Sequence, residues 1–341
     1  MPILKCPRCG DRLTLTDCET NALEVRRGRL VCAQDPAHEF AIEDGIIRFT
    51  AGFDHEAVKK EIEYENSTYV GDDNRMRDPK TVAQFPDSLP DLWPHTCHFG
   101  PDFRDLIDHL DVQPGQWILD IGTGPCWSSR LLAQRGAKVI ALDVNEANFY
   151  GLKTSDILFE AHGIYFERIL ESMTHLPFRD GTIDHITFNA SFHHTPDAEK
   201  SLQECFRVLR PGGKAAMVNE EFTSMRHKWF PDGHVLTDLG SHHDIPYTEF
   251  EAAVKRCGFK ADFYVADHVS KSLERRLSKP LGQLANKIFE TFPLALKQLK
   301  SALVILTKPG TLGKPGAASS SRMAGTGRPA KLMEVAHGRG A

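Results

Sequence analysis

The sequence contains no run of about eighteen apolar residues, the length a bilayer-spanning helix needs. Its first ten residues, Met1-Pro-Ile-Leu-Lys-Cys-Pro-Arg-Cys-Gly10, hold no apolar stretch behind a basic start, so neither a spanning anchor nor a secretory leader is read. A soluble, unexported, cytoplasmic protein is expected. An excess of basic charge is also missing: 41 Lys and Arg against 46 Asp and Glu leave a net charge of -5 and a sequence pI of about 6.3. That excludes a chain built chiefly to coat nucleic acid, although a local basic patch stays open. Nor does the chain have the profile of a disulfide scaffold, since eight cysteines in 341 residues suit neither a small nor a secreted domain.

The cysteines are unevenly placed. Cys6, Cys9, Cys18 and Cys32 crowd the amino end, whereas Cys97, Cys126, Cys205 and Cys257 stand singly. Cys6-Pro-Arg-Cys9-Gly10 is a two-thiolate turn that can grip one ion, with a glycine to allow the turn. Alternation at Leu13, Leu15, Leu23, Val25 and Leu30 suits short strands, and Cys32 with His38 then completes a Cys3His set. Cys18 is the rival fourth ligand, placed by this reading in the polar turn between the first two strands. A set supplied wholly by protein makes a structural zinc site with no open position.

Residues 1–50 resemble the small zinc-ribbon family whose free-standing member activates RNA and protein methyltransferases, including the closing phrase Phe40-Ala-Ile-Glu-Asp-Gly45-Ile-Ile-Arg-Phe. The segment departs from that family in its fourth ligand and in the longer Cys32 to His38 spacing.

A helical cover and linker is expected over 55–113. It begins with a charged helix from His55 to Tyr69, in which Tyr64 or Tyr69 is a candidate lid over a ligand. A proline-broken, aromatic stretch follows, and an amphipathic helix runs from Asp102 to Leu110. Next, Gln116-Trp-Ile-Leu-Asp120-Ile-Gly122-Thr-Gly124 reads as a buried strand and glycine turn, and Ala137-Lys-Val-Ile-Ala-Leu-Asp143 as a second strand ending in a carboxylate. Such a βαβ unit lets a ligand approach backbone at the turn and hydrogen-bond its ribose to Asp143. A dinucleotide is disfavoured, because Trp127 occupies the third glycine position and Asp120 would repel a diphosphate.

Downstream come Leu176-Pro-Phe178, the pair His193-His194 after a strand, and Arg207-Val-Leu-Arg-Pro211-Gly-Gly213. Taken in order, these motifs resemble the class I S-adenosylmethionine-dependent methyltransferases, in the branch typified by ubiquinone and menaquinone biosynthesis, over 114–309. The resemblance implies an α/β, Rossmann-like seven-stranded sheet with strand seven antiparallel, preceded by the small β zinc ribbon. It further implies S-adenosyl-L-methionine as cofactor, held by Asp120, Gly122, Thr123, Gly124, Asp143, Val144, Ser172, Met173 and Asn189. Cys126 stands where the family often has glycine, and Ser172 where many members have an acidic residue.

Methyl transfer needs alignment and, at most, a modest base. His193 and His194 at the end of the fourth strand are candidates, and His243 and Tyr247 in the His-rich loop after strand five are substrate-contact candidates. Strands are expected at Phe259–Val265 and Ser301–Pro309, an amphipathic helical insertion over 271–300 (a packed cap, or more rarely a partner or membrane-surface helix), and a flexible basic tail over 310–341. Three functions fit: methylation of a small-molecule, saccharide or lipid-linked acceptor; RNA methylation with the ribbon as RNA-binding module; or a non-catalytic cofactor-binding scaffold.

Overall fold

The computed structural model describes residues 3–65, 67, 77–92, 96–220, 222–223, 245–291 and 302–310. Thirteen strands lie among them: β1 (Leu13–Thr20), β2 (Val25–Cys32), β3 (Glu39–Glu43), β4 (Ile46–Arg48), β5 (Trp117–Ile121), β6 (Lys138–Asp143), β7 (Glu167–Leu170), β8 (Ile183–Asn189), β9 (Leu209–Val218), β10 (Phe222–Thr223), β11 (Ile245–Pro246), β12 (Lys260–Val265) and β13 (Ala302–Thr307). The helices are α1 (His55–Glu65), α2 (Pro79–Ala83), α3 (Leu89–Leu92), α4 (Phe99–Leu110), α5 (Trp127–Gln134), α6 (Ser155–His162), α7 (Ala198–Val208), α8 (Tyr247–Cys257), α9 (Asp267–Leu277) and α10 (Lys279–Thr291).

Eleven strands form one sheet in the order β1-β2-β3-β4-β7-β6-β5-β8-β9-β13-β12. From β7 to β9 neighbouring strands are parallel, and β13 runs antiparallel between β9 and β12. Seven strands were expected in this sheet. The additional four are the amino-terminal ones, which do not stand apart: β4 pairs in parallel with β7, Ile47 opposite Ile169.

Period-two alternation divides the core between the two faces of the sheet. Ile118, Val139 and Ala141 face α4, α5 and α6 through Phe103, Leu106, Leu132 and Leu158. Leu119, Ile121, Ile140 and Leu142 face the other way, with Leu202, Phe250 and Val254 of α7 and α8, and the same cluster takes in Leu30, Phe40, Ile42 and Ile47 of β2 to β4. The Leu-Pro-Phe motif is part of this docking. The Lys5 amide donates to the Pro177 carbonyl at 3.0 Å, and the Arg179 amide to Ile3 at 2.8 Å.

Several elements differ from expectation. Cys18 is exposed within β1 rather than in a turn, where a register shift between Thr16 and Glu19 interrupts the pairing. The helix expected over 271–300 is two helices that break at Ser278, at φ +72°; Pro280 lacks the amide needed to continue the first helix but is tolerated in the first turn of the second. Residues 292–300 and the tail after Gly310 lie outside the described residues.

Buried charge ties the amino-terminal strands to the sheet. Arg168 on β7 is fully buried and donates to Glu24 at 2.5 Å, to Asp156 at 2.8 Å and to the Ser155 hydroxyl at 2.9 Å. Glu24 also accepts from Arg26 of β2 at 2.7 Å. Removing one partner strands a buried charge, which is more destabilising than removing both. Glu24→Ala is expected to lower stability by about 3 kcal/mol in urea titration, and a Glu24→Ala/Arg168→Met double variant to recover most of that loss.

Candidate active site

A cavity of about 970 Å3 opens at the carboxyl ends of β5, β6, β7 and β8. This is the crevice where open α/β sheets bind ligands, because the loops there diverge to opposite faces. Gly122 follows β5 with φ +65°, and a Cβ on it would collide with Ser191. Ser191 is pinned in turn by its hydroxyl on the Ile121 carbonyl, at 2.8 Å. Only glycine lets the two loops approach this closely.

Asp143 ends β6 on the cavity wall. Its carboxylate accepts the Gly124 amide at 2.7 Å and the Asn145 amide at 2.8 Å. Burial outweighs these bonds and raises its pKa to about 6. Gly122, Thr123, Gly124, Val144, Ser172, Met173 and Asn189 share the wall with it. Asn189 accepts from the Asn219 side-chain amide at 2.9 Å, leaving the Asn219 carbonyl oxygen buried without a partner among the described residues.

Asp120, expected at the cofactor, is not on the wall. Its carboxylate faces the protein interior, where Ser128 and Ser129 each donate at 2.6 Å and Thr187 at 2.8 Å. Burial nonetheless raises its pKa. Asp120 therefore ties the start of α5 to β5 and β8, and so shapes the glycine turn from behind.

His193 and His194 lie on a short 3-10 turn with rings 4.3 Å apart, and each has a carboxylate on Nδ1 at 2.8 Å. His193 pairs with Glu220, which also accepts the amides of Ser191, Phe192 and His193. Burial alone would raise Glu220, but the His193 ring and these amides outweigh it and hold the carboxyl below its usual range. His194 pairs with Glu61 of α1. Burial, followed by the adjacent His193, lowers the His194 pKa, so the ring is neutral at pH 7 and able to take a proton.

Sequence reasoning missed the carboxylates of α1. Glu61 is buried, and its Oε2 has no partner among the described residues. Glu65 accepts from Asn145 at 2.8 Å, and burial followed by Asp143 raises its pKa well above the usual value. The available signal was the spacing of Ala57, Glu61, Tyr64 and Glu65, which places them on one helical face, and all four line the cavity. Tyr69 and His243 lie outside the described residues. Tyr247, a substrate-contact candidate, is buried among Phe222, Phe250 and Phe263 away from the cavity; its ring completes an aromatic cluster under α8.

At the amino end, one donor atom from each of Cys6, Cys9, Cys32 and His38 lies within 4.8 Å of all the others. Cys9 and Cys32 sulfurs are 3.3 Å apart, and Cys6 sulfur is 3.7 Å from His38 Nδ1. His38 Nε2 faces Asp35 at 3.4 Å.

Residues 119–217 match a family model described as a methyltransferase domain. This segment is thus similar to methyltransferase domains. Over 121 residues the chain is 37% identical to the ubiquinone/menaquinone biosynthesis C-methyltransferase of Cronobacter sakazakii, covering 34% of this chain and 47% of that protein. Over 136 residues it is 30% identical to the demethylmenaquinone methyltransferase of Streptomyces avermitilis, covering 40% and 54%. The chain thus spans about half the length of these curated relatives. Among solved structures it is similar to phosphoethanolamine N-methyltransferase 2 of Haemonchus contortus in complex with S-adenosyl-L-methionine, at 16% identity and a TM-score of 0.45, over 73% of this chain and 60% of that one. Among the described residues no helix is long and apolar enough to cross a membrane.

Behind the glycine turn, Asp120 holds three buried hydroxyls at once. Asp120→Ala is expected to lose about 3 kcal/mol, one per hydrogen bond, read as a lower urea midpoint with an unchanged slope.

Proposed function

We propose that the chain transfers the methyl group of S-adenosyl-L-methionine to an oxygen, nitrogen or carbon of a small, largely apolar acceptor of quinol or lipid type. The observation that carries this reading is the charge of the cavity. Asp54, Glu56, Glu61, Glu65, Asp143, Glu171 and Glu220 line it, against Lys60 as the one Lys or Arg on the described wall. A ligand bearing a sulfonium and an ammonium relieves the mutual repulsion of these acids and offers donors to the orphaned oxygens of Glu61 and Asn219. The volume stands at the upper end of the roughly 300–1,000 Å3 usual for ligand pockets, leaving space for an acceptor beside the cofactor. The acceptor class follows from what the two quinone-pathway relatives are named for.

The bound cofactor supplies an electrophilic methyl on sulfur, and the chain's own residues do the rest. Gly122 and Gly124 let the ligand lie against backbone, and Asp143 offers its remaining lone pairs to ribose hydroxyls. Val144, Met173 and Ser172 border the space for the base. The Glu61 carboxylate holds His194 through Nδ1 and orients that imidazole as the base for an acceptor hydroxyl or acidic carbon as it is methylated. His193, held by Glu220, supports that ring from behind. The same carboxylates disfavour RNA as substrate, because a polyphosphate backbone would meet like charge.

The Cys3His group fits a structural zinc ion. Its donors are close enough to converge on one ion, its thiolates are the ligands zinc favours, and Asp35 stands behind His38 as a supporting acceptor. Purified protein is expected to hold one zinc per chain by elemental analysis. Cys9→Ser or a strong chelator should remove it and lower the melting temperature by several degrees; a metal-free protein of equal stability contradicts the site.

Asp143 gives the pH test. Its folded pKa of about 6 lies above the ordinary aspartate value of about 3.9, so between the two the folded chain binds the extra proton. Stability of the ligand-free protein from this group is greatest at low pH and falls as pH rises through 6. Affinity for S-adenosylhomocysteine should move the opposite way, rising through pH 6 as the carboxylate ionises. By calorimetry, Asp143→Asn is expected to bind at least about tenfold more weakly at pH 8 and to lose that pH dependence. In fractionated cell extract, labelled methyl transfer should require Asp143; equal labelling by both proteins overturns the assigned pocket.

A further inference from the structure

Six large apolar side chains are exposed among the described residues, and four of them fall on one short stretch: Leu277, Leu281, Leu284 and Ile288, each between 44% and 57% exposed. Leu277 closes α9, while Leu281, Leu284 and Ile288 lie three and four residues apart on α10, the spacing of one helical stripe. A stripe of this kind normally packs inward. Here α10 meets α9 through a different side: a Cβ on Gly282 would strike the backbone of Glu274, and Asn286 donates to the Ser270 hydroxyl at 2.6 Å. The leucines and the isoleucine are left outward by that packing.

Basic residues outnumber acidic ones around this stripe. Arg275, Arg276, Lys279 and Lys287 are all exposed. Over Asp267–Thr291 there are five Lys and Arg against three Asp and Glu, in a chain whose net charge is -5. The hairpin is also anchored beside the cavity. His268, at the start of α9, binds Asp102 of α4 through its amide at 2.9 Å and through Nδ1 at 2.6 Å. Its ring lies 4.5 Å from His98, which lines the cavity together with Phe99.

We propose that the α9–α10 hairpin docks the protein on an anionic lipid surface, with Leu281, Leu284 and Ile288 set among the acyl chains and the arginines and lysines at the headgroups. Half-exposed leucines gain by leaving water. Each cation near an anionic surface adds attraction that salt screens. Neither element crosses the bilayer; the hairpin lies in the plane of the interface. Such docking puts the cavity's His98 side within reach of an acceptor dissolved in the membrane, so that an apolar substrate need not pass through water.

The test uses the full chain and no reaction, so it stands or falls apart from the methyl-transfer reading. Vesicles of equal parts phosphatidylglycerol and phosphatidylcholine are mixed with protein at low salt and sedimented, beside vesicles of phosphatidylcholine alone. Partition onto the anionic vesicles should be at least about tenfold stronger and should fall as salt is raised. Leu281→Asp/Ile288→Asp should abolish it while leaving the urea midpoint unchanged, since both side chains are half exposed. Arg275→Gln/Arg276→Gln should weaken only the anionic preference. Wild-type protein that stays in the supernatant, or an aspartate pair that sediments equally well, overturns the proposal. So does a concentration-dependent dimer abolished by the aspartate pair in a chain that ignores vesicles, which would make the occupant a second copy.

Discussion

Glu171 directly follows β7, with its carboxylate turned back on the chain that has just left β4. It accepts the Ala51 and Gly52 amides, both at 2.9 Å, and its own neighbour Ser172 at 2.8 Å. Burial raises its pKa, so three amides are needed to hold a group that would otherwise be poorly placed there. The grip decides where α1 begins. With β4 seated against β7 and residues 51 and 52 held at the strand's end, His55–Glu65 starts at the mouth of the cavity and carries Glu61 and Glu65 over it. The amino-terminal strands thus deliver a wall of the candidate active site, beyond whatever stability they add.

That wall sets the electrostatics. Asp143, Glu61 and Glu65 stand together on it, the charge of Glu61 raising the cost of ionising Asp143 and Glu65, and their partners are polar side chains and amides more than cations. A wall of this kind carries an electrostatic cost of its own. A positively charged ligand is the simplest means of relieving it, whereas a second hydrophobic surface would make it worse. The two His-carboxylate pairs work on the same ground: they orient the imidazoles without neutralising the pocket. Glu220 is fastened further by three backbone amides, which makes His193 the more rigid of the two.

The sequence displayed the backbone of this site far better than its side-chain contacts. An apolar run ending in a carboxylate marked β6 and Asp143, and the glycine turn marked the end of β5, because both signals are local. Asp120 carries the same local signature as Asp143 yet turns inward, since its fate depends on hydroxyls at Ser128, Ser129 and Thr187 that no spacing reveals. Glu61 and Glu65 looked like solvated charges on a helix with few apolar anchors; only the pairing of β4 with β7, distant in sequence, brings them to the pocket. Tyr247 failed in the opposite sense, as an aromatic residue near a strand end whose ring found other aromatics instead of the cavity. The Cys3His grouping was legible because a metal-like set of donors is a pattern of residue types. The fusion of those strands to the main sheet was not, because it rests on an Arg168–Glu24 pair separated by 144 residues.

The position of β4 also changes which edge the sheet presents to the outside. Without it, β7 would be the last strand, a short segment (Glu167–Leu170) with its amides and carbonyls unpaired and available to template another chain. Covering β7 moves the margin to β1, whose residues Thr14, Thr16, Asp17, Glu19 and Thr20 are polar, mostly exposed and broken by a bulge with Asp17 at φ +49°. A charged, kinked margin is a poor template for strand addition. The first fifty residues therefore exchange a pairing-ready edge of the parallel sheet for one that discourages pairing, a consequence that does not depend on what the pocket binds.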